Sequence, residues 1–343
     1  MCRIFTRGIG LAAALLAASA GGTAALAAQA RLRLATLAPK GTIYEQALLE
    51  MGEQWRNAPG GGARLIIYTD GRMGGEAEVV RRMRAGQVDA ALFTAMGLGE
   101  IEPAVSALQN MPMMFRTLEE VQYVREQLKG ELEKKFLEKG FIVLGWGDSG
   151  WVRFFSKKPA VMPDDLRKLK LFCWAGDPAA LELWKAAGFR PVPLEVTDIL
   201  PGLKTGLIDA VCSAPAYALA GQFDTEAPHM LDVHWAPLVG GLVVTAKAWQ
   251  SVPEASRPAM LQAAAAAAAK VQKRGREEAE ESIEAMKKRG LTVHPATPEV
   301  QAAWQKLAED AWPSIRGKVV PADMFDRVVE LLKEFRQKGS GGK

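Results

Sequence analysis

The chain has 343 residues, 49% of them hydrophobic and 24% charged, which is typical of a folded globular protein and excludes a disordered or collagen-like chain. Its 43 basic and 39 acidic residues give a net charge of +4, which offers no general basis for binding nucleic acid. Three cysteines and three histidines are too few to favour a structural zinc site.

Residues 1–28 have the pattern of a secretory signal peptide. Arg3 and Arg7 precede an uncharged run rich in alanine and leucine, and small residues between Ala27 and Ala30 fit a cleavage site. A retained membrane anchor is the alternative, but the apolar run is short for a span. We therefore expect an exported, periplasmic protein with no stable membrane insertion after cleavage. Cys173 and Cys212 would be its remaining cysteines, either as a disulfide or, as we favour, as two free thiols.

The mature chain then alternates strand and helix twice. The first series has predicted strands at Arg31–Thr36, Leu65–Tyr68 and Val88–Phe93. The second has predicted strands at Leu169–Trp174, Arg190–Leu194 and Ile208–Cys212. Short turns and helices separate the strands, which predicts parallel sheets of the doubly wound type with the first and third strands adjacent.

A residue-level repeat supports two similar units. Residues 83–91 (MRAGQVDAA) match residues 203–211 (LKTGLIDAV), with Gly86 and Gly206 expected to end helices in the left-handed conformation. A chance match at a common helix-to-strand turn is the alternative. Because each copy closes a strand-helix series, we favour duplication, with a hinged cleft between the two units.

The fold class predicted is therefore α/β, a two-domain periplasmic-binding-protein fold (type II-like). Domain I takes residues 31–152 and about 246–290, domain II takes 153–245, and helices within 257–338 pack across both. Strands at 151–156 and 240–245 are expected to cross between the domains. A helix from Arg257 to Arg289 would be roughly 50 Å long, enough to run across both.

Catalytic patterns do not emerge from the sequence. His229 and His234 stand beside prolines, with spacing that suits neither a metal-binding helix face nor a catalytic triad, and no phosphate-cradling Gly-Lys-Ser/Thr loop occurs. We expect a binding protein with no cofactor and no metal; an exported enzyme on the same scaffold is the less favoured alternative.

The candidate ligand-binding residues lie at or just beyond strand ends. For any one aromatic residue, an ordinary core position is the simpler reading, but together they favour a wall of the cleft. Arg153 lies in an apolar strand and could grip a carboxylate with two parallel hydrogen bonds, or could be an ordinary edge arginine. The full candidate set is Arg153, Phe172, Trp174, Trp146, Trp151, Phe93, Met96 and Ser213.

Ordered segments across residues 31–335 resemble the extracytoplasmic solute-binding subunit of TRAP transporters, the DctP-type family. They include Ala35–Gly41 (ATLAPKG), Gly71–Glu76 (GRMGGE), Pro159–Leu166 (PAVMPDDL) and Ala248–Pro253 (AWQSVP). The resemblance implies two α/β domains, a long hinge-spanning helix, and delivery of a small-molecule ligand to integral-membrane TRAP permease subunits driven by an ion gradient.

The chain departs from the acid-binding pattern of that family. Acid binders usually carry a carboxylate-holding arginine where this chain has Phe172, whereas the family's earlier cleft arginine is kept as Arg153. Residues 211–215 (VCSAP), with Ser213, replace a more polar stretch. These changes favour an apolar or monocarboxylate ligand over a dicarboxylate. A binding protein of a hydrophobic-ligand or lipid trafficking system is an alternative.

Overall fold

The computed structural model describes the backbone of residues 29–340; the predicted signal peptide lies outside the described residues. The strands are β1 Ala30–Thr36, β2 Ala63–Tyr68, β3 Ala90–Thr94, β4 Phe141–Ser156, β5 Lys170–Trp174, β6 Arg190–Leu194, β7 Ala210–Ser213, β8 His229–Thr245 and β9 Thr292–Pro295. The helices are α1 Ile43–Arg56, α2 Glu76–Arg84, α3 Ala95–Gly99, α4 Leu118–Glu138, α5 Pro163–Arg167, α6 Pro178–Ala186, α7 Ile199–Thr205, α8 Pro215–Ala220, α9 Ala246–Gln250, α10 Arg257–Lys288, α11 Pro298–Ile315 and α12 Ala322–Ser340.

The sheet has the order β2-β1-β3-β8-β4-β7-β5-β6, with β9 paired to β8. It consists of two parallel half-sheets, β2-β1-β3 and β7-β5-β6, joined through the long antiparallel pair β4 and β8. The first and third strands of each series are adjacent, as predicted. The fold is thus α/β with two similar units, and β4 and β8 belong to both of them.

The two central strands are longer than the sequence pattern predicted. A strand was expected at 151–156, but β4 begins ten residues earlier, at Phe141, and continues to Ser156. Pairing shifts between Asp148 and Trp151, and again between Val152 and Phe154, disturb the alternation of side chains. Pro237 of β8 lies opposite Trp151. A proline within a strand argues against predicting a central strand, so the full length of β8 was not predicted either. The boundaries at 152–153 and 245–246 remain a prediction.

The repeated turn folds alike in both units. Gly86 and Gly206 have φ angles of 71° and 72°, the left-handed conformation that only glycine adopts without strain. The carboxylate of Asp89 accepts a hydrogen bond from Arg33 N at 2.8 Å. That of Asp209 accepts one from Lys170 N at 3.0 Å. Each aspartate therefore joins its own turn to the first strand of its unit.

Helices cover both faces of each half-sheet, as a buried parallel sheet requires. The long helix α10 contributes to the cores of both units. Met260, Ala263 and Ala264 pack with α1 against the first half-sheet. Ile283 and Met286, about three to four helical turns beyond the helix centre, pack with the core of the second. The predicted helix that runs across both units is therefore present, and it ends at Lys288.

Candidate functional site

A cavity of about 320 Å³, here called the main chamber, lies beyond the carboxyl ends of strands from both half-sheets. Leu37 and Thr94 reach it from the ends of β1 and β3, and Trp174 and Ser213 from the ends of β5 and β7. This is the edge at which open α/β sheets bind ligands. The duplicated topology therefore brings four strand ends to one cavity.

Four of the predicted site residues line the main chamber: Met96, Phe172, Trp174 and Ser213. Trp174 is held by a hydrogen bond from its Nε1 to Glu195 Oε2 at 3.3 Å. Met96 follows Thr94, whose hydroxyl accepts from Met96 N at 3.2 Å and so begins the short helix α3. These contacts give the apolar wall a defined shape.

Arg153 lies away from this wall, contrary to the position expected for a ligand clamp. The neighbouring Val152 lines the main chamber, while the Arg153 side chain contacts groups elsewhere. Its Nε donates to Asp232 Oδ1 at 2.5 Å, and its Nη2 lies 3.5 Å from Glu280 Oε1 and 3.3 Å from His234 Nε2. The guanidinium therefore has two protein carboxylates as partners.

Trp151 occupies the same region as Arg153. Its ring stacks on His234, with centroids 4.9 Å apart and planes 6° from parallel. Neither Trp151 nor Arg153 lines the main chamber or the smaller cavity beside it. Burial and the Arg153 charge both lower the pKa of His234, which favours the neutral imidazole against the indole.

Phe93 and Trp146, the remaining predicted residues, line that smaller cavity of about 100 Å³, here called the side chamber. Trp146 Nε1 donates to Glu133 Oε1 at 3.1 Å, which fixes the indole between α4 and β4. The side chamber lies among β3, β4, β8, α1 and α10. Of the eight predicted residues, four therefore line the main chamber and two line the side chamber, while Arg153 and Trp151 lie together outside both.

The main chamber also has an aromatic wall that the sequence patterns missed. Trp184 and Trp235 stack with centroids 5.5 Å apart, and Phe189 meets Trp184 edge to face at 4.8 Å. All three line the chamber. Trp184 lies on α6 and Phe189 on the turn after it, so a search limited to strand ends could not find them. The apolar side chains on one face of α6 were the available signal.

Glu76 is the most buried carboxylate of the wall, at 4% exposure, and it borders both chambers. It accepts hydrogen bonds from Thr94 N at 2.7 Å, Thr94 Oγ1 at 2.6 Å and Gly97 N at 2.8 Å. Burial raises the pKa of Glu76 to about 7, although these bonds oppose the rise. Near neutral pH this group is therefore charged only part of the time.

Asn110 lines the main chamber, and its side-chain amide has little hydrogen bonding with the protein. Within residues 29–338, its one contact is a long one, from Nδ2 to Met96 Sδ at 3.8 Å. Gln109, by contrast, uses its Oε1 to accept from Val239 N at 2.9 Å. The Asn110 amide can therefore donate to, and accept from, one neutral polar group of a ligand.

Cys173 and Cys212 both line the main chamber as free thiols. β5 and β7 are parallel with Leu171 opposite Ala210, so the cysteines, each two residues further on, share one face of adjacent strands. Burial raises the pKa of Cys173 to about 12 and that of Cys212 to about 11. Both thiols are therefore protonated and poorly nucleophilic at neutral pH.

We predict that these cysteines are reduced in the isolated protein. Thiol titration of denatured, unreduced protein lacking residues 1–28 should detect two free thiols. In the native state the same reagent should react slowly at neutral pH, because little thiolate is present. A titration that finds no thiol until a reductant is added would instead establish a Cys173–Cys212 disulfide.

Within residues 29–340, no helix combines the length and the apolar character needed to cross a bilayer. In the same part, no three or more histidine, cysteine, aspartate or glutamate side chains converge as a metal site would require.

The fold and the chamber between its two units are those of an extracytoplasmic solute-binding protein. The chain belongs to the DctP family, the bacterial extracellular solute-binding proteins of family 7, whose profile matches residues 34–318. A solute-binding protein of Roseobacter denitrificans is 25% identical over 267 residues, which cover 77% of this chain and 81% of that protein. The C4-dicarboxylate-binding periplasmic protein DctP of Rhodobacter capsulatus is 23% identical over 75% of this chain and 77% of its own.

Solved structures of TRAP periplasmic solute-binding proteins share the fold. One from Roseobacter denitrificans with bound L-galactonate has a TM-score of 0.79 and 20% identity, and covers 88% of this chain and 98% of its own. One from Shewanella oneidensis with bound succinate has a TM-score of 0.81 and 17% identity, and covers 89% of this chain and 100% of its own. At these identities the likeness concerns the fold alone.

Proposed function

We propose that this TRAP-type solute-binding protein captures an uncharged, largely apolar small molecule in the main chamber and delivers it, in the periplasm, to integral-membrane TRAP permease subunits. We infer the class of ligand from one observation. Among the side chains of residues 29–338, no arginine or lysine lines the main chamber. A carboxylate buried there would lose its hydration without gaining a cationic partner.

Arg153 does not supply that partner in our proposal. It is 3% exposed, and Asp232 and Glu280 already balance its charge. A ligand carboxylate would have to displace Asp232 and repel Glu280 to reach it. The wall itself offers two acids, Glu76 and Asp177, and burial raises the pKa of each. The electrostatic character of the chamber therefore opposes an anion and supports a neutral ligand.

The lining supports binding in preference to catalysis. The thiols of the wall are protonated at neutral pH, and the carboxylate of Glu76 is occupied by three protein hydrogen bonds. Apolar and aromatic side chains of α6, β5 and β8 surround the space. Such a lining gives affinity through burial of apolar area, with Asn110 available to orient one polar group.

Identifying the ligand and determining its charge test the proposal. Mass spectrometry of protein purified from its native host should find a neutral organic molecule, and calorimetry should detect no binding of succinate. Arg153→Ala should leave the affinity for the co-purified molecule unchanged within about twofold, since no contact is shared. A carboxylic acid as the co-purified ligand, or tight succinate binding, would contradict the proposal.

A further inference from the structure

The side chamber and the main chamber share one wall, here called the partition. Five residues line both spaces: Leu37, Glu76, Thr94, Tyr217 and Leu238. Tyr217 belongs to the second unit, and its hydroxyl makes a long contact of 3.5 Å with the carbonyl of Leu37 in the first. The partition is therefore built of side chains from both units, and a molecule that moves them slightly could extend from one chamber into the other.

Backbone and small side chains define the walls of the side chamber. Gly145 of β4 pairs with Leu242 of β8, the residue after Gly241, and α10 adds Ala267 and Ala268. A Cβ added at Gly145 would come within 2.8 Å of Ala268 Cβ. The helix and the strands are thus already in close contact there, and this part of the wall cannot collapse further into the space.

The volume limits what the side chamber can hold. At about 100 Å³ it is smaller than a cavity of ~150 Å³ that accepts a benzene molecule. Leu48, Leu92, Phe93 and Val271 make its lining apolar. A short length of aliphatic chain fits these limits better than a ring, and water would find few partners in such a lining.

Tyr44 brings a buried hydroxyl to the side chamber. It lines the side chamber, and its hydroxyl is buried without a hydrogen-bond partner of good geometry among residues 29–338. Burial raises the pKa of the Tyr44 phenol, and the nearby Ser149 hydroxyl offsets only part of the rise. A buried hydroxyl without a partner is uncommon in folded proteins. An acceptor oxygen on a ligand would satisfy it.

We infer that the side chamber receives the end of a linear, uncharged aliphatic ligand whose terminal carbonyl oxygen accepts a hydrogen bond from Tyr44, while the remaining chain fills the main chamber. This inference rests on the proposed function, since it takes the ligand to be neutral and apolar. The inference adds that the ligand is elongated, and that the protein selects ligands by their chain length and by a hydrogen-bond acceptor at one end.

Methyl n-alkyl ketones of increasing length provide the probe, with 1-alkenes of equal length as partners that lack the acceptor. Binding is measured by calorimetry or by quenching of tryptophan fluorescence. The affinity of the wild-type protein for the ketones should rise about fourfold for each added methylene until both chambers are full. Ketones should bind about fivefold more tightly than alkenes of the same length.

Two variants with one matched control separate the two parts of the inference. Ala267→Leu fills the side chamber and should weaken the longest ketones about tenfold or more, whereas short ketones should lose only the hydrogen bond to Tyr44, about fivefold. Ala266→Leu makes the same change at the exposed neighbouring residue of α10, which does not line the chamber, and should change nothing. Tyr44→Phe should reduce the affinity for ketones to that for alkenes and leave the alkenes unchanged.

An unchanged length limit in Ala267→Leu, or an unchanged preference for ketones in Tyr44→Phe, would overturn the inference. If Ala267→Leu fails to fold, the Tyr44→Phe comparison still decides it. If no ketone binds but the co-purified ligand is neutral and apolar, this inference fails and the proposed function stands. If the co-purified ligand is a carboxylic acid, both fail together.

Discussion

Phe172→Arg should abolish high-affinity binding of the co-purified ligand. Phe172 is a buried part of the chamber wall, on β5 and in register with Val192 of β6. A guanidinium there would face apolar surface and bound ligand, and an uncompensated buried charge costs roughly 3 kcal/mol or more, about a hundredfold in affinity. Calorimetry with the co-purified ligand measures the loss directly.

Phe172→Leu is the matched control, because it removes aromatic contact area without adding charge. Its loss should be limited to about 1–2 kcal/mol of apolar contact. Thermal unfolding of both variants shows whether the fold is kept. Equal affinities of Phe172→Arg and wild type would contradict an apolar site. Gain of succinate binding by Phe172→Arg would add support, since it would show that the wild-type wall lacks only a cation for binding an acid.

The architecture could be predicted because its signals are local. The match between residues 83–91 and 203–211 specifies a left-handed glycine, then an aspartate at the start of a strand. The structure confirms both features in both copies, with Asp89 and Asp209 bonded to the first strands of their units. Short turns between strand and helix leave a parallel sheet as the natural solution, which places a cavity at the strand ends.

The position of Arg153 could not be predicted because its partners are distant in sequence. Asp232 and Glu280 lie 79 and 127 residues further along the chain. The pairing shifts in β4 on either side of Val152 also disturb the simple alternation that assigns a side chain to a face. A cation in an apolar strand correctly indicated an ion pair. It did not indicate whether the anion belongs to a ligand or to the protein.

The aromatic wall could not be predicted for the same reason, because its residues are also distant in sequence. Trp184 and Trp235 of the wall come from α6 and β8, and Trp304 of α11 packs edge to face on Trp235 without lining the chamber. The three meet only through the tertiary fold. Helical spacing indicates which face of α6 is buried, but not whether that face meets a core or a cavity. The chemistry of a binding wall assembled from distant segments therefore requires the structure.

The second large effect is expected for stability and concerns Asp148. Its side chain is fully buried, and it joins β4 to two other elements. Arg276 of α10 donates to it from Nε and Nη2, both at 2.7 Å, and Arg125 of α4 donates from Nη1 at 3.3 Å. β4 runs through both units and α10 packs in both cores, so this cluster fastens together the two elements that connect the units.

Asp148→Ala should lower the free energy of unfolding by about 3–5 kcal/mol, because Arg125, itself 4% exposed, would keep its charge without a buried partner. Glu50→Ala is the matched control, since Glu50 also pairs with α10, through Lys270 at 2.6 Å, but at an exposed position. Its loss should stay below about 1 kcal/mol. Urea unfolding of both variants measures the difference. Equal losses would mean that apolar packing alone holds α10 against β4, and the buried ion cluster would then have no special part in joining the two units.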